Sequence, residues 1–439
     1  MADKPRVLML GWEFPPVING GLGVACHDLC IAMGEHAKVT MIIPKSNPEF
    51  KVKNLNLIGL NNIDANTLKS IDNVEEYINV ESVHYIESDL NPYYSYGLIR
   101  NQPNGTKHHH HGPKNQYIKN IEIEGEKFNV FHIDDLYGGD VIGKVNTFGE
   151  IAAKIAVNLD FDIIHAHDWM TMKAGSEIKK QTGKPLVMHI HSLEVDRGGT
   201  ESNGFARMIE KNGMNDADVL MPVSNFTGEI IKKYYGINGD KIFPVHNGIR
   251  PVKTFKSERP FDEKVVLFVG RLTRQKGPDF FLQIATRVLE KMPDVRFIMA
   301  GQGDSFKNIM DISANKEMGN RFHVTGFLNM DKVHYLLSIA DVYCMPSVSE
   351  PFGLSAVEAA QFGVPVVISK QSGVGEVLHG SMKFDYWDIN HAADYIIALL
   401  NDKVLREKIV EDANKDLQNI SWENSAKKVM EGYEKYELV

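Results

Sequence analysis

The 439-residue chain has only three cysteines, Cys26, Cys30 and Cys344, an odd and sparse set. That excludes a disulfide framework, and the spacing is not that of a zinc-binding pattern, so a reducing cytoplasm is the expected compartment. Long hydrophobic runs are missing as well. After a polar start over residues 2–6, the first apolar run, 7–10, is too short for a signal-peptide core or a membrane span. There is no positive balance either. The 48 Lys and Arg against 57 Asp and Glu leave a formal charge of −9, which argues against a dedicated nucleic-acid binder, because affinity for a phosphate backbone rests on clustered cations. A local basic site for one diphosphate is compatible with that balance.

What is present is the composition of a folded protein, 43% hydrophobic, 24% charged and 9% aromatic. The length favours two cores, and two cores imply a cleft. Short apolar or β-branched runs recur at 6–11, 39–44, 162–167, 186–192, 219–224 and 242–246, then at 265–270, 295–301, 322–326, 342–347 and 365–369. Helical periodicity separates them, as over 280–291, 333–340 and 354–362, and this alternation predicts parallel sheets wrapped by helices. Residues 250–263, with no hydrophobic period, are the expected linker. The polar stretch 61–137 reads as an insertion. Its run His108–His111 is read as solvated, since consecutive histidines in a Gly/Pro/Asn-rich loop usually are. At the end, a Ser421 cap and Trp422, Ala426, Val429, Met430 and Tyr433 at helical spacing predict an amphipathic helix that must dock on another element.

Four stretches carry chemistry. The first strand-to-helix turn, GWEFPPVINGGLG, has Gly20, Gly21 and Gly23 where backbone amides can approach a phosphate at the positive end of a helix. It lacks the G-x-G-x-x-G spacing of dinucleotide enzymes, and a glycine pair is also what any tight turn needs. In FDIIHAHDW, strand alternation puts His165 and His167 on one side and leaves His167, Asp168 and Trp169 at the carboxyl end of a parallel strand, where open α/β sheets bind ligands. In VVLFVGRLTRQKGP a buried strand ends at Gly270, followed by Arg271, Arg274 and Lys276 before a helix starting near Pro278. Cations beside a helix amino terminus oppose its dipole, which points to a ligand anion rather than to plain surface pairing. A diphosphate leaving group would use both a bidentate Arg and a point-charge Lys. Without ligand, Lys276 is expected to be solvated. In PSVSEPFGLSAVEAA, Glu350 precedes a helix that contains Glu358. At about 1.5 Å rise per residue the two lie at most about 12 Å apart along the axis, so they cannot serve one atom but can hold opposite ends of an extended ligand.

In this order, the GGL-type loop, HxHDW, NGI, GRLxxxKG, the E-x7-E pair and a carboxyl-terminal helix resemble the retaining GT-B glycosyltransferases of the glycogen/starch synthase and group 1 type (families 4 and 5), over nearly the whole chain. The resemblance implies an α/β protein of two Rossmann-like, doubly wound domains facing across a cleft. Residues 1–249 would form the acceptor domain, joined by a returning helix at 420–439, and 250–419 the nucleotide-sugar domain. It implies that Arg271 and Lys276 neutralise the donor diphosphate, that Glu350 holds hydroxyls of the transferred sugar, and that Glu358 binds the ribose. His167 would sit near the reacting centre, Gly20 and Gly21 would approach the diphosphate, and Asn247 of NGI would line the cleft. Gly270, Phe352, Gly353 and Leu354 would lie against the donor.

The implied chemistry is metal-independent retention through an oxocarbenium-like state, with the leaving phosphate as base. No metal and no cofactor are expected, the nucleotide sugar being a substrate, and the acidic pair Asp134–Asp135 is read as a loop feature. Two positions depart from the pattern: Ile18 stands where glycogen and starch synthases usually carry Lys, and Arg250 follows NGI where Asp is frequent.

The expected function is transfer of a hexose, glucose by the resemblance, from UDP- or ADP-glucose to a glucan or other glycosyl acceptor. One alternative is a group 1 enzyme making a disaccharide, glycolipid or cell-surface glycan, although a basic, apolar membrane-contacting helix is not evident. From a different class come a nucleotide-sugar epimerase and a silent nucleotide-sugar binding protein. The joint presence of His167, Arg271, Lys276 and Glu350 favours an active transferase. The expected partners are a nucleotide sugar donor and a carbohydrate acceptor, with no nucleic acid and no membrane segment.

Overall fold

A parallel strand buried on both faces needs helices on both sides of its sheet, and the alternation of apolar runs with amphipathic stretches supplies them. A computed structural model describes residues 4–16, 20–47, 49–70, 117–123 and 126–439 of the chain. Ile18 and His108–His111 lie outside the described residues.

In chain order, β1 (Arg6–Leu10), β2 (Lys38–Ile43) and β3 (Leu55–Gly59) are followed by an antiparallel hairpin of β4 (Ile118–Ile123) and β5 (Glu126–Phe131). Then come β6 (Ile163–His167), β7 (Leu186–Ile190) and β8 (Val219–Pro222). The six other than the hairpin form a parallel sheet of order β3-β2-β1-β6-β7-β8. β9 (Lys264–Val269), β10 (Val295–Ala300), β11 (Phe322–Gly326), β12 (Val342–Met345), β13 (Val366–Ser369) and β14 (Ser381–Phe384) form a second, of order β11-β10-β9-β12-β13-β14. In both sheets the order reverses beside the first strand, between β1 and β6 and between β9 and β12. That is where a doubly wound sheet opens a crevice for ligands. The expected α/β class of two Rossmann-like domains is the observed one.

The run 242–246 is extended but forms no strand of its own. Phe243 and Val245 donate backbone N–H bonds to Leu220 and Pro222 of β8, both at 2.8 Å, while Pro244 between them has no N–H to give. β3, β14 and the β4–β5 hairpin had no clear signal, being short or carrying polar residues along their length.

Helix termini follow local chemistry. Pro278 opens the helix Pro278–Lys291 at a position where its missing N–H costs nothing, with Asp279 in the first turn and Lys291 in the last, each matched to the helix dipole. Ser421 caps Trp422–Lys435 by accepting from Asn424 N at 3.2 Å. That last helix buries Trp422, Ala426, Val429 and Tyr433 with Val7, Met9, Ala25 and Cys26 of the first sheet and its helix Gly21–Met33. Each large apolar side chain so buried contributes about 1.5–3 kcal/mol. The two crossings of the chain between the domains run side by side. Ile249 bridges Ser421 in parallel, and a Cβ on Gly248 would fall 2.1 Å from the Trp422 nitrogen, so only glycine lets the crossings touch.

Candidate active site

The carboxyl edges of the two sheets face each other. At the first, β1 runs into Glu13, whose buried carboxylate accepts from Gly20 N at 3.1 Å and from the Tyr137 hydroxyl. The helix Gly21–Met33 then starts at Gly20 without a side-chain cap. At Gly21 the nearest atom to a notional Cβ is Leu354 Cδ1, 3.9 Å away in the second domain. The first glycine turn therefore borders the helix Leu354–Gln361 across the cleft.

At the end of β6, His165 and His167 share one side as alternation requires, their rings stacked 4.9 Å apart. His189 of β7, paired in register with His167, and His191 just beyond it extend the stack. Burial lowers the basicity of all four imidazoles, to about 3 for His165 and His191, so they are neutral at physiological pH. The His167 ring is fully enclosed between the sheet and the helix Gly21–Met33 rather than open to the cleft. Asp168 follows at φ +57°, ψ 175°, a conformation costly for a residue with a side chain and held here because its carboxylate accepts from His191 N at 2.7 Å and Ser192 N at 3.3 Å. Burial pushes Asp168 up to about 7.

The second edge is built from the turn after β9. Gly277 has φ +68°, and a Cβ there would lie 2.1 Å from the Pro346 carbonyl oxygen, so glycine presses the Lys276 turn onto the end of β12. This brings Lys276 Nζ to 2.5 Å from the Glu350 carboxylate, to which the Ser347 hydroxyl also donates at 3.4 Å. The expectation of a solvated Lys276 is corrected: its side chain is 19% exposed and that of Glu350 7%. Arg271, half-buried just past β9, has no ion pair or side-chain hydrogen bond among the described residues, and Gly270 lies beside it. Gly353 has φ +114° with Met345 Cε and Val374 Cγ1 at 2.8 and 3.1 Å from a notional Cβ, leaving no room for a side chain. Phe352 is buried beside it and Leu354 opens the next helix. On that helix Glu358 is half-buried with no partner among the described residues, and burial pushes its carboxyl up to about 7. Asn247 is buried where the chain crosses between domains.

Several contacts close the cleft that no spacing in the sequence announced. The Ser224 hydroxyl donates to the Pro351 carbonyl at 2.6 Å, and the Ser349 hydroxyl to the Asp196 carboxylate at 2.5 Å. Glu376 of the second domain accepts from the backbone N–H of Asn225 (2.9 Å) and Phe226 (2.7 Å), capping a first-domain helix, and lies 2.7 Å from His246 Nε2. Arg250, one of the two departures, pairs with the buried Asp28 of the helix Gly21–Met33, while its carbonyl accepts from Gln361 Nε2 at 3.0 Å. An aspartate there could not make that pair. Partners some 150 residues apart leave no sequence signal. The one signal available for the histidine stack was a second H-x-H, His189 and His191, one strand on. The Asp134–Asp135 carboxylates are engaged by His132 and Lys144.

Residues 250–416 match the model of the family described as glycosyl transferases group 1, and residues 121–253 that of glycosyltransferase family 4. An uncharacterized glycosyltransferase of Methanocaldococcus jannaschii is 31% identical over 294 residues, 62% of this chain and 75% of that protein. A glycogen synthase of Mycobacterium tuberculosis is 24% identical over 388 residues, 85% of this chain and 80% of its own. Among solved structures, sucrose-phosphate synthase from Thermosynechococcus elongatus superposes with a TM-score of 0.70 over 98% of this chain and 99% of its own, at 17% identity. Among the described residues no helix is long and apolar enough to cross a membrane.

Proposed function

The chain belongs to the GT-B glycosyltransferases, with the group 1 domain over residues 250–416, and on that premise we propose that it is a retaining hexosyltransferase moving glucose from UDP- or ADP-glucose to a glucan or related glycosyl acceptor. Residues 250–419 take the donor, and residues 1–249 with the helix at 420–439 take the acceptor. The observation that carries this reading is the Lys276–Glu350 pair, held at 2.5 Å on the carboxyl edge of the second sheet beside Arg271, which has no side-chain partner among the described residues. As the bond between the anomeric carbon and the phosphate oxygen breaks, Arg271 and Lys276 neutralise charge on the departing diphosphate. Lys276 turns from Glu350 to phosphate, and the freed Glu350 carboxylate accepts from sugar hydroxyls. Glu358, which has no side-chain partner among the described residues, accepts from the ribose. The backbones of Gly20, Gly21, Gly270, Gly353 and Leu354 line the donor with Phe352 and Asn247, and His167 backs the reacting centre. The acceptor oxygen attacks from the face the diphosphate leaves, its proton passing to the departing phosphate. These cations fill the role a metal would otherwise have, so neither metal nor cofactor is required.

The glycogen synthase match over most of the chain supports a glucan acceptor. The test is diphosphate release from a panel of nucleotide sugars, with glucan primers and with small acceptors, and the anomeric configuration of the product read by NMR. Release with a glucose donor and a glucan primer, giving an α-linked product, is expected. Inversion would overturn the mechanism, and transfer to small acceptors alone would overturn the glucan assignment.

A further inference from the structure

The histidine stack holds more unmet polar groups than a packed core usually carries. Cys26 and His167 are completely buried, and the side-chain nitrogens His167 Nε2 and His191 Nδ1 have no hydrogen-bond partner among the described residues. Their other nitrogens face one another, His167 Nδ1 to His191 Nε2, at 3.0 Å. A neutral imidazole has one N–H and one bare lone pair, so whichever ring donates in that bond, the pair is left with one buried lone pair and one buried N–H unmet. Unmet polar groups in a dry site are costly and need an explanation. Nearby, the free thiol of Cys26 projects from the helix Gly21–Met33, and its sulfur and one nitrogen of each histidine lie within 4.8 Å of one another.

We propose that Cys26, His167 and His191 form a binding site for one divalent transition-metal ion of the zinc class. Imidazole nitrogen and thiolate sulfur suit zinc, cobalt or nickel and not the oxygen-seeking magnesium or calcium. In a tetrahedral site the ligand atoms stand about 3.3–3.8 Å apart, so atoms that lie within 4.8 Å of one another need to move by no more than about 1.5 Å. As the sulfur–metal bond forms, the thiol proton leaves to solvent, and each imidazole binds through a bare nitrogen while keeping its one proton on the other; where that leaves protons on both facing nitrogens, the His167–His191 hydrogen bond opens, and nothing is oxidised or reduced. The ion would pin His167 and the helix whose amino terminus borders the cleft. On the reading of His167 given above it therefore acts as an inhibitor and not as a cofactor. That consequence rests on the proposed function, whereas the binding does not.

The full chain, stripped of metal by chelation and dialysis, is titrated with Co2+ and then Zn2+. One ion per chain is expected, with a thiolate-to-cobalt charge-transfer absorption in the near ultraviolet. Cys26→Ala should abolish that absorption and weaken affinity at least tenfold, and His191→Gln should weaken it to a similar degree, both with unchanged circular dichroism. Changing His108 to His111 to serine should leave the absorption intact, which separates this site from binding by that run. Absence of a cysteine-dependent absorption, or equal affinity in Cys26→Ala, overturns the site. Should His191→Gln not fold, Cys26→Ala decides alone. In the release assay, Zn2+ at its binding concentration should cut turnover at least tenfold in the wild type and leave Cys26→Ala unaffected. Cysteine-dependent binding without inhibition leaves the site standing and removes the link to the reacting centre.

Discussion

The two sheets share one strand order, yet what stands at their carboxyl edges is opposite in kind. At the edge of the first, polar side chains turn inward: Glu13 is tied to Gly20 and Tyr137, Asp168 to the backbone beyond β7, and the histidines are neutral and enclosed. At the edge of the second, Arg271 and Lys276 stand at the cleft, and Glu358 keeps a carboxyl with no partner among the described residues. A doubly wound sheet provides the same open position in both halves. The side chains placed there separate a half whose polar groups are tied into the fold from a half that, on the function proposed above, meets an anion.

The strongest challenge to that division is Lys276→Ala, expected to lower turnover by about 100–1000-fold, the scale of losing one electrostatic stabiliser in a water-poor site. Because Glu350 is then buried without its cation, stability should also fall, by about 1–3 kcal/mol. Lys276→Arg should recover much of the stability and little of the turnover, since a planar fork does not replace a compact ammonium. The counterpart in the first half, Glu13→Gln, should cost less than about tenfold in turnover; equal losses in the two halves would erase the distinction.

Next in size is the contact that joins the halves. Glu376→Ala removes a helix cap and the His246 partner, costing about 1–2 kcal/mol, and small-angle scattering should show a larger radius of gyration. Burial alone would raise the Glu376 carboxyl, but hydrogen bonds from His246, Asn225 and Phe226 outweigh it and hold the group below its ordinary 4.5. Its contribution is therefore present above pH 4.5 and is lost as pH falls through the depressed value, so the melting curves of variant and wild type should converge in acid. Persistent separation in acid would point to packing instead.

A smaller effect is expected at Glu358. Burial raises its carboxyl to about 7, so its neutral form favours folding fully below 4.5 and that benefit is lost as pH rises through 7. Glu358→Gln should thus stabilise by about 1–2 kcal/mol at pH 8 and hardly at pH 5. If the carboxylate accepts from ribose, wild-type affinity for nucleoside diphosphate should rise several-fold from pH 6 to pH 8, and the variant should show no such slope. Smallest of all, a strong chelator should leave turnover unchanged; loss on chelation, restored by magnesium or manganese, would show that the cations of the second edge do not suffice.

Much of the fold was legible because it is local. The runs 6–11, 162–167 and 265–270 read as buried parallel strands and form them over Arg6–Leu10, Ile163–His167 and Lys264–Val269, and Ser421 and Pro278 marked helix starts through cap chemistry that depends on a few neighbours. β14 was missed because Ser381 and Lys383 break up its few apolar residues, and the hairpin because it lies in a polar stretch. In the candidate site, residue types and order were readable at Arg271, Lys276, Glu350 and Glu358. Their states were not: Lys276 is paired where solvation was expected, and the His167 ring is enclosed.

By itself, then, the sequence determined two α/β cores, the turn chemistry after β1, β6, β9 and β12 and the family, since each is written in spacings of a few residues. Only the tertiary structure decided that Arg250 holds Asp28, that Glu376 caps a helix of the other domain, and that Cys26 meets a stack of histidines from two strands. Those groups are brought together by the packing of distant elements. Burial, which sets the charge of Asp168 and Glu358, is a property of the whole fold and of no segment within it.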